Sequence, residues 1–210
     1  MLLFLLGIGL AEASGALGVD WVPSGRGDLA WVASEQLTGT KVAETDGLLR
    51  PPMTAWGGWL GQRHGVLGSF DVARLAHSVR TNANAEVSTQ TALRPGVDYR
   101  LYLKERSADA PQAYLQLGAY GVVPFATESS DSASKSEQTV LDQQAQQNRS
   151  RIGGVGGRVG VGAEIQLDSG VMLGARYSVV YHRSRALDEE TLTVSSWLRS
   201  EAALVLGFNL

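Results

Sequence analysis

The chain has 210 residues, 25 glycines, no cysteine, 19% charged residues and a formal net charge of −3. One domain accounts for that length, and the small charge leaves no basic footprint for nucleic acid. Without cysteine there are no disulfides, no lipoprotein anchor and no thiolate metal site; the composition is too apolar for disorder and too interrupted by charge for a helical membrane protein.

Met1 to Leu10 is an apolar run too short to span a bilayer as a helix, and Ala11-Glu12-Ala13 supplies the small residues a signal peptidase needs. Residues 1–13 therefore read as a signal peptide, although no Lys or Arg precedes the run; a buried N-terminal strand is the other reading. Residues 14–27 read as an N-terminal periplasmic segment, with an additional strand possible from Ala16 to Val22. Beyond residue 10 no stretch is apolar enough for a transmembrane helix, so membrane insertion would require a closed barrel.

Residues 28–210 are expected to form that barrel, from eight strands near 28–36, 52–61, 66–79, 92–104, 112–124, 151–166, 170–184 and 190–210. The signal is period-two alternation. In the seventh strand Val171, Leu173, Ala175, Tyr177, Val179 and Tyr181 share one face, and Met172, Gly174, Arg176, Ser178, Val180 and His182 the other. The sixth sets Val155, Val159 and Val161 against Arg158, Gly160, Gly162 and Glu164, and Asp168-Ser169-Gly170 joins the two as a hairpin turn. Ala113 to Val123 and Val97 to Lys104 repeat the pattern. In the last strand Leu192, Val194, Leu198, Ala202, Leu204, Leu206, Phe208 and Leu210 oppose Thr193, Ser195, Arg199, Glu201, Gly207 and Asn209.

Alternation alone does not say which face is inside. Two features place the apolar face outward: glycine shares a face with the charges, as crowded packing requires, and the apolar faces run unbroken along nearly every strand. Trp31, Trp56 and Trp59 suit an interfacial girdle. Connections at Gln62–Gly65, Glu105–Pro111 and Asp168–Gly170 are short, while 38–51, 82–91 and 125–150 are longer, the asymmetry between periplasmic turns and extracellular loops. Residues 125–150 read as an exposed loop holding a short helix with Val140, Leu141 and Ala145 on one weak apolar face.

The pattern, through to the C-terminal Leu204-Val205-Leu206-Gly207-Phe208-Asn209-Leu210, resembles the small eight-stranded OmpA-like outer-membrane barrel superfamily. The resemblance covers most of residues 28–210. It implies an all-β, transmembrane, antiparallel up-and-down barrel with a porin-like fold in a Gram-negative outer membrane. It also implies that Leu206, Phe208 and Leu210 form the insertion signal read by the barrel-assembly machinery, with Leu210 standing where Phe is usual. Outer-membrane lipid and lipopolysaccharide would be its surroundings. The fold hosts structural, adhesive and enzymatic members, so it does not by itself name an activity.

Eight inward charges are expected to pair across a narrow lumen: Asp98, Arg100, Lys104, Arg158, Glu164, Arg176, Arg199 and Glu201. The expected reading is a non-enzymatic barrel with a structural or surface-binding role and a plugged lumen; a gated ion path is the functional alternative for the charges. A second hypothesis rests on His182-x-Ser184, whose spacing resembles that of outer-membrane lipid A deacylases, although Arg185 follows where that family has asparagine and the pair lies on the lumen face. A third is a secreted soluble barrel binding a small ligand. Gly153 to Gly157 lacks the helix and Lys-Ser/Thr pair of a phosphate loop, and His64, His77 and His182 are too scattered for a metal site, so no cofactor is expected.

Overall fold

The computed structural model describes residues 14–22, 53–80, 85–107, 110–130, 134–188 and 191–210. Eight strands close on themselves in chain order: β1 (Ser14–Trp21), β2 (Met53–Leu60), β3 (His64–Arg80), β4 (Ala85–Tyr102), β5 (Gln112–Ser130), β6 (Gly154–Gln166), β7 (Val171–Asp188) and β8 (Thr191–Asn209). Every pair is antiparallel, and the closing pair, β1 with β8, sets Leu17 opposite Phe208. Full closure removes the edges that an open sheet would expose. Helix α1 (Lys135–Ile152) joins β5 to β6 and packs on β5 and β7. No helix among the described residues is long and apolar enough to cross a membrane.

The faces are assigned as the alternation predicts. On β7, Leu173, Tyr177 and Tyr181 are exposed, whereas Met172, Arg176, Ser178, Val180 and His182 are buried. On β5, Leu115, Leu117, Val123 and Phe125 point out, with Leu117 61% exposed, while Gln112, Tyr114, Gln116 and Tyr120 point in. From Ala113 to Phe125, residue steps of ~3.3 Å along a strand tilted by about 40° give an outer band roughly 30 Å tall, enough for the apolar girth of a membrane barrel. A soluble ligand-binding barrel places its apolar face inside; here the interior holds the charges.

The first strand differs from the expectation. Ser14–Trp21 is β1, the additional strand that residues 16–22 offered, with Leu17 and Trp21 outward and Ala16 and Asp20 inward. The expected strand at 28–36, the signal peptide at 1–13 and Trp31 lie outside the described residues. Trp56 is not in a girdle: it is buried in the lumen, and only Trp59 of that pair faces out. The expected loop at 82–91 is mostly strand, because β3 and β4 stay paired as far as Arg80 opposite Ala85. Likewise β5 runs on to Ser130, and α1, with 18 residues, is not short. Its Ala145 is buried against the strands while Val140 stays exposed.

The start of β1, the β6–β7 turn and the C-terminal residues meet at one end. In the β6–β7 turn, Gly170 has φ +81°, its N–H donates to Leu167 O at 2.9 Å, and its carbonyl accepts from Asn209 N at 2.8 Å. Left-handed backbone favours glycine there. The Ser14 hydroxyl donates to Asn209 Oδ1 at 2.6 Å, and Leu210 N donates to Gly15 O at 2.7 Å, so side chain and backbone both seal the closing strands.

Candidate functional site: the charged lumen

The interior begins at the short-turn end with an apolar and aromatic floor of Ala16, Trp56, Leu60, Leu67, Tyr102, Tyr114, Met172 and Val205. Directly against it sits Glu164. Its carboxylate accepts from Arg100 Nη1 at 2.8 Å and from the Tyr102 hydroxyl at 2.6 Å, and Arg106 Nε lies 3.7 Å away. Arg100, 1% exposed, also lies over the rings of Trp56 and Tyr114, 5.2 and 4.6 Å from their centroids. A guanidinium so placed exchanges hydration for one carboxylate and two π faces.

Farther along the barrel, Arg158 holds Asp98 through two bonds of 2.5 Å, from Nε and Nη2, and its Nη2 also reaches Ser69 Oγ at 2.8 Å. This fork geometry is what arginine offers and lysine does not. Arg176 pairs closely with Asp20, which accepts from Trp56 Nε1 at 2.8 Å. Toward the long-connection end, Arg94 Nε lies 3.8 Å from Asp71 Oδ1 and its guanidinium sits over Tyr120, whose ring stacks on His182 at 5.9 Å. Arg199 and Glu201 pair closely within β8.

Inward glycines give these side chains room. A Cβ on Gly162 would lie 2.3 Å from Tyr114 Cζ, and one on Gly156 would lie 2.2 Å from Tyr120 Cζ. In each case the tyrosine, directly opposite in register, lays its ring across the bare backbone of β6.

Of the eight charges expected inside, Asp98, Arg100, Arg158, Glu164, Arg176 and Glu201 are buried in the lumen, and Arg199 is there with partial exposure. Lys104 is not: it is exposed in the β4–β5 connection, one turn beyond the end of β4 at Tyr102, where the alternation no longer applies. Arg106, from the same connection, folds back and takes the place near Glu164, bonding Gln166 at 3.2 Å as well. Among the described residues, Asp20, Asp71 and Arg94 are further lumen charges that alternation missed. Their phase is readable: Asp20 alternates with Val19 and Trp21, Asp71 with Phe70 and Val72, and Arg94 keeps step with Asp98 and Arg100. Leu206, Phe208 and Leu210 all point outward at the end of β8.

His182 faces the lumen, away from any acyl chain outside the barrel, and the side chain of Ser184 lies outside those described. Among the described residues no three His, Asp or Glu side chains are grouped to hold a metal ion.

No protein-family model matches the sequence, and no curated protein matches it. Solved structures do. Outer Membrane Protein W of E. coli, determined in solution by NMR, aligns over 95% of this chain and 98% of its own at 13% identity with a TM-score of 0.51. Ail, the attachment invasion locus protein of Yersinia pestis, aligns over 94% of this chain and 96% of its own at 12% identity with a TM-score of 0.33. Taken with the closed antiparallel barrel, the first of these shows the fold: the chain is built as a small closed eight-stranded antiparallel barrel, the architecture of that outer-membrane protein.

Proposed function

We propose that the protein is a non-enzymatic outer-membrane barrel with a structural or surface-binding role and a lumen plugged by its own side chains. The observation that carries this reading is the inversion of its faces: apolar side chains line the outside of every described strand, and paired charges lie inside, above an apolar floor. Such a surface is unfavourable in water and favourable in lipid. Outer-membrane lipid and lipopolysaccharide would cover the band, and the end bearing α1 would be the surface face. Fractionation with outer membranes, together with heat-modifiable migration on gels, tests the assignment. Recovery in the soluble periplasmic fraction with no migration shift would overturn it.

On the same reading Leu206, Phe208 and Leu210 are the insertion signal handed to the barrel-assembly machinery. Phe208→Asp places a carboxylate on the lipid face, whereas Asn209→Asp keeps an acceptor for the Ser14 hydroxyl. The first variant is expected to lower the yield of inserted protein far more than the second. Equal yields would remove the signal from this segment.

A further inference from the structure

One part of the outer wall is concave. Ala113 on β5, Ala163 on β6 and Ala175 on β7 lie directly opposite one another in register, all three exposed on the outward face. They floor a groove of about 610 Å³. The next outward row on one side carries Leu115, Val161 and Tyr177, and the next on the other carries Ile165 and Leu173, so methyl groups lie between two ridges of larger side chains. Leu204, opposite Ala175 and exposed, closes one end. At the other end Leu103 N donates to Ala113 O at 2.9 Å, which continues the row with the exposed Leu103.

The groove has a direction. Leu103 lies just past the end of β4 and Ala113 near the start of β5, both at the level of the short turns. Leu204 lies well inside β8, whose last residue is Asn209. Four strand spacings of ~4.8 Å separate β4 from β8, and strands tilted by about 40° incline the row by about 50°, so it climbs roughly 12 Å, within one leaflet of a ~30 Å hydrocarbon core. The low end is also where the charge is. Lys104 follows Leu103 and is exposed, its neighbour Glu105 is taken by Arg63 at 3.5 Å, and among the described residues no carboxylate pairs with Lys104.

We infer that this groove binds one acyl chain of an anionic glycerophospholipid in the leaflet nearer the short turns, with Lys104 on its phosphate. The inference rests on the outer-membrane reading of the barrel. An apolar channel that starts beside a cation at the interface and climbs away from it matches an amphiphile, head low and tail high. A second copy of the chain fits less well. Related by a two-fold axis along the membrane normal, it would bring its own Lys104 to the same level, like charge to like charge.

The test inserts the full chain into phosphatidylcholine vesicles with a minor fraction of phosphatidylglycerol carrying a photoactivatable diazirine on its acyl chain. After irradiation, peptide mass spectrometry maps the lipid adducts, and heat-modifiable migration of the same sample reports insertion. Adducts are expected to concentrate on Ala113, Ala163, Ala175 and their outward neighbours. Unlabelled phosphatidylglycerol is expected to displace the label better than phosphatidylcholine does. Ala163→Phe, which fills the groove from the outward face, is expected to abolish the concentration while the barrel still migrates as folded. Lys104→Gln is expected to lower the preference for phosphatidylglycerol roughly fivefold, the worth of one cation at an anionic surface. Adducts spread evenly round the wall of an inserted barrel, or a preference that Lys104→Gln leaves unchanged, would overturn the proposal and leave the outer-membrane reading standing. Groove strands shielded from the label in a barrel that cross-links to itself would give the groove to a second copy instead. A chain that folds yet stays in the aqueous phase would overturn the outer-membrane reading itself. The wild-type adduct map decides the outcome if either variant fails to insert.

Discussion

The interaction most dependent on a single side chain is the one around Glu164, which alone accepts from Tyr102 and neutralises both Arg100 and Arg106. Removing it leaves two buried guanidiniums without their carboxylate, a change that costs roughly 3–5 kcal/mol for buried pairs in general. Glu164→Ala is therefore expected to lower the denaturation midpoint strongly, while Lys104→Ala, at an exposed site, stays within about 0.5 kcal/mol of wild type. Comparable losses from both would refute the placement of Lys104 outside the network. Gly118 makes a finer test. A Cβ there would lie 2.0 Å from Asp98 Oδ1 and 3.0 Å from Arg158 Cγ and Nε, so alanine must displace a carboxylate already held by two bonds. Gly118→Ala is expected to destabilise by roughly 1–3 kcal/mol, as overpacking does. Gly121→Ala, with nothing within 4 Å of its would-be Cβ, should be nearly neutral in the same urea titration. Alternation located Asp98, Arg100, Arg158 and Arg176 because each lies inside a strand whose phase is set by outward apolar neighbours. It could not locate Arg106, which reaches the lumen from a connection, and it misassigned Lys104 by extending the β4 phase past Tyr102.

At the level of elements, period and turn chemistry made β5 to β8 legible, whereas β1, eight residues with two glycines, read only as a possible strand over 16–22. Only closure reveals its role: β8 needs a partner, and the register Leu17–Phe208 with Asp20 opposite Val205 provides it. Strand ends beyond Thr91 and Phe125 were missed for a different reason. Ala and Glu there are poor strand formers and the apolar alternation fades, but pairing continues from the neighbouring strand and overrides both. Helix α1 is the opposite case, a polar helix whose start is fixed locally. Ser134 N donates to Glu137 Oε2 at 2.6 Å and Glu137 N donates to Ser134 Oγ at 3.4 Å, a reciprocal capping box. Accepting the backbone N–H holds the Glu137 carboxyl below the usual glutamate range. A depressed folded-state pKa means the cap contributes fully above the ordinary glutamate pKa of about 4.3 and is lost as pH falls through the lower folded value. Amide exchange at Ser134 to Thr139 is thus expected to accelerate on acidification below about pH 4, and Glu137→Gln to flatten that dependence while keeping the helix. Exchange in the wild type that does not change over this range would show that the cap does not operate.

For the whole molecule, the question is whether a closed barrel with so polar an interior conducts. Two layers oppose it. The floor of Trp56, Leu60, Leu67, Tyr102, Tyr114 and Met172 closes the short-turn end with apolar and aromatic side chains, and Met172 is fully buried. Above it the Arg100–Glu164, Arg158–Asp98 and Arg176–Asp20 pairs bridge different strands across the interior. An ion entering would have to break a pair and leave its partners desolvated, which the surrounding protein cannot offset. Purified wild-type protein in planar bilayers is accordingly expected to give little current. Glu164→Ala changes both layers at once: Tyr102 loses its acceptor beside the floor, and Arg100 and Arg106 lose the carboxylate that held them. Water drawn in to solvate the two guanidiniums would open a path lined by excess positive charge, so the variant is expected to leak, and to pass anions in preference to cations. Its reversal potential in a salt gradient reads that preference directly. Large, steady channels from the wild type would show that the pairs do not close the lumen; a cation-selective leak from Glu164→Ala would show that the path lies elsewhere.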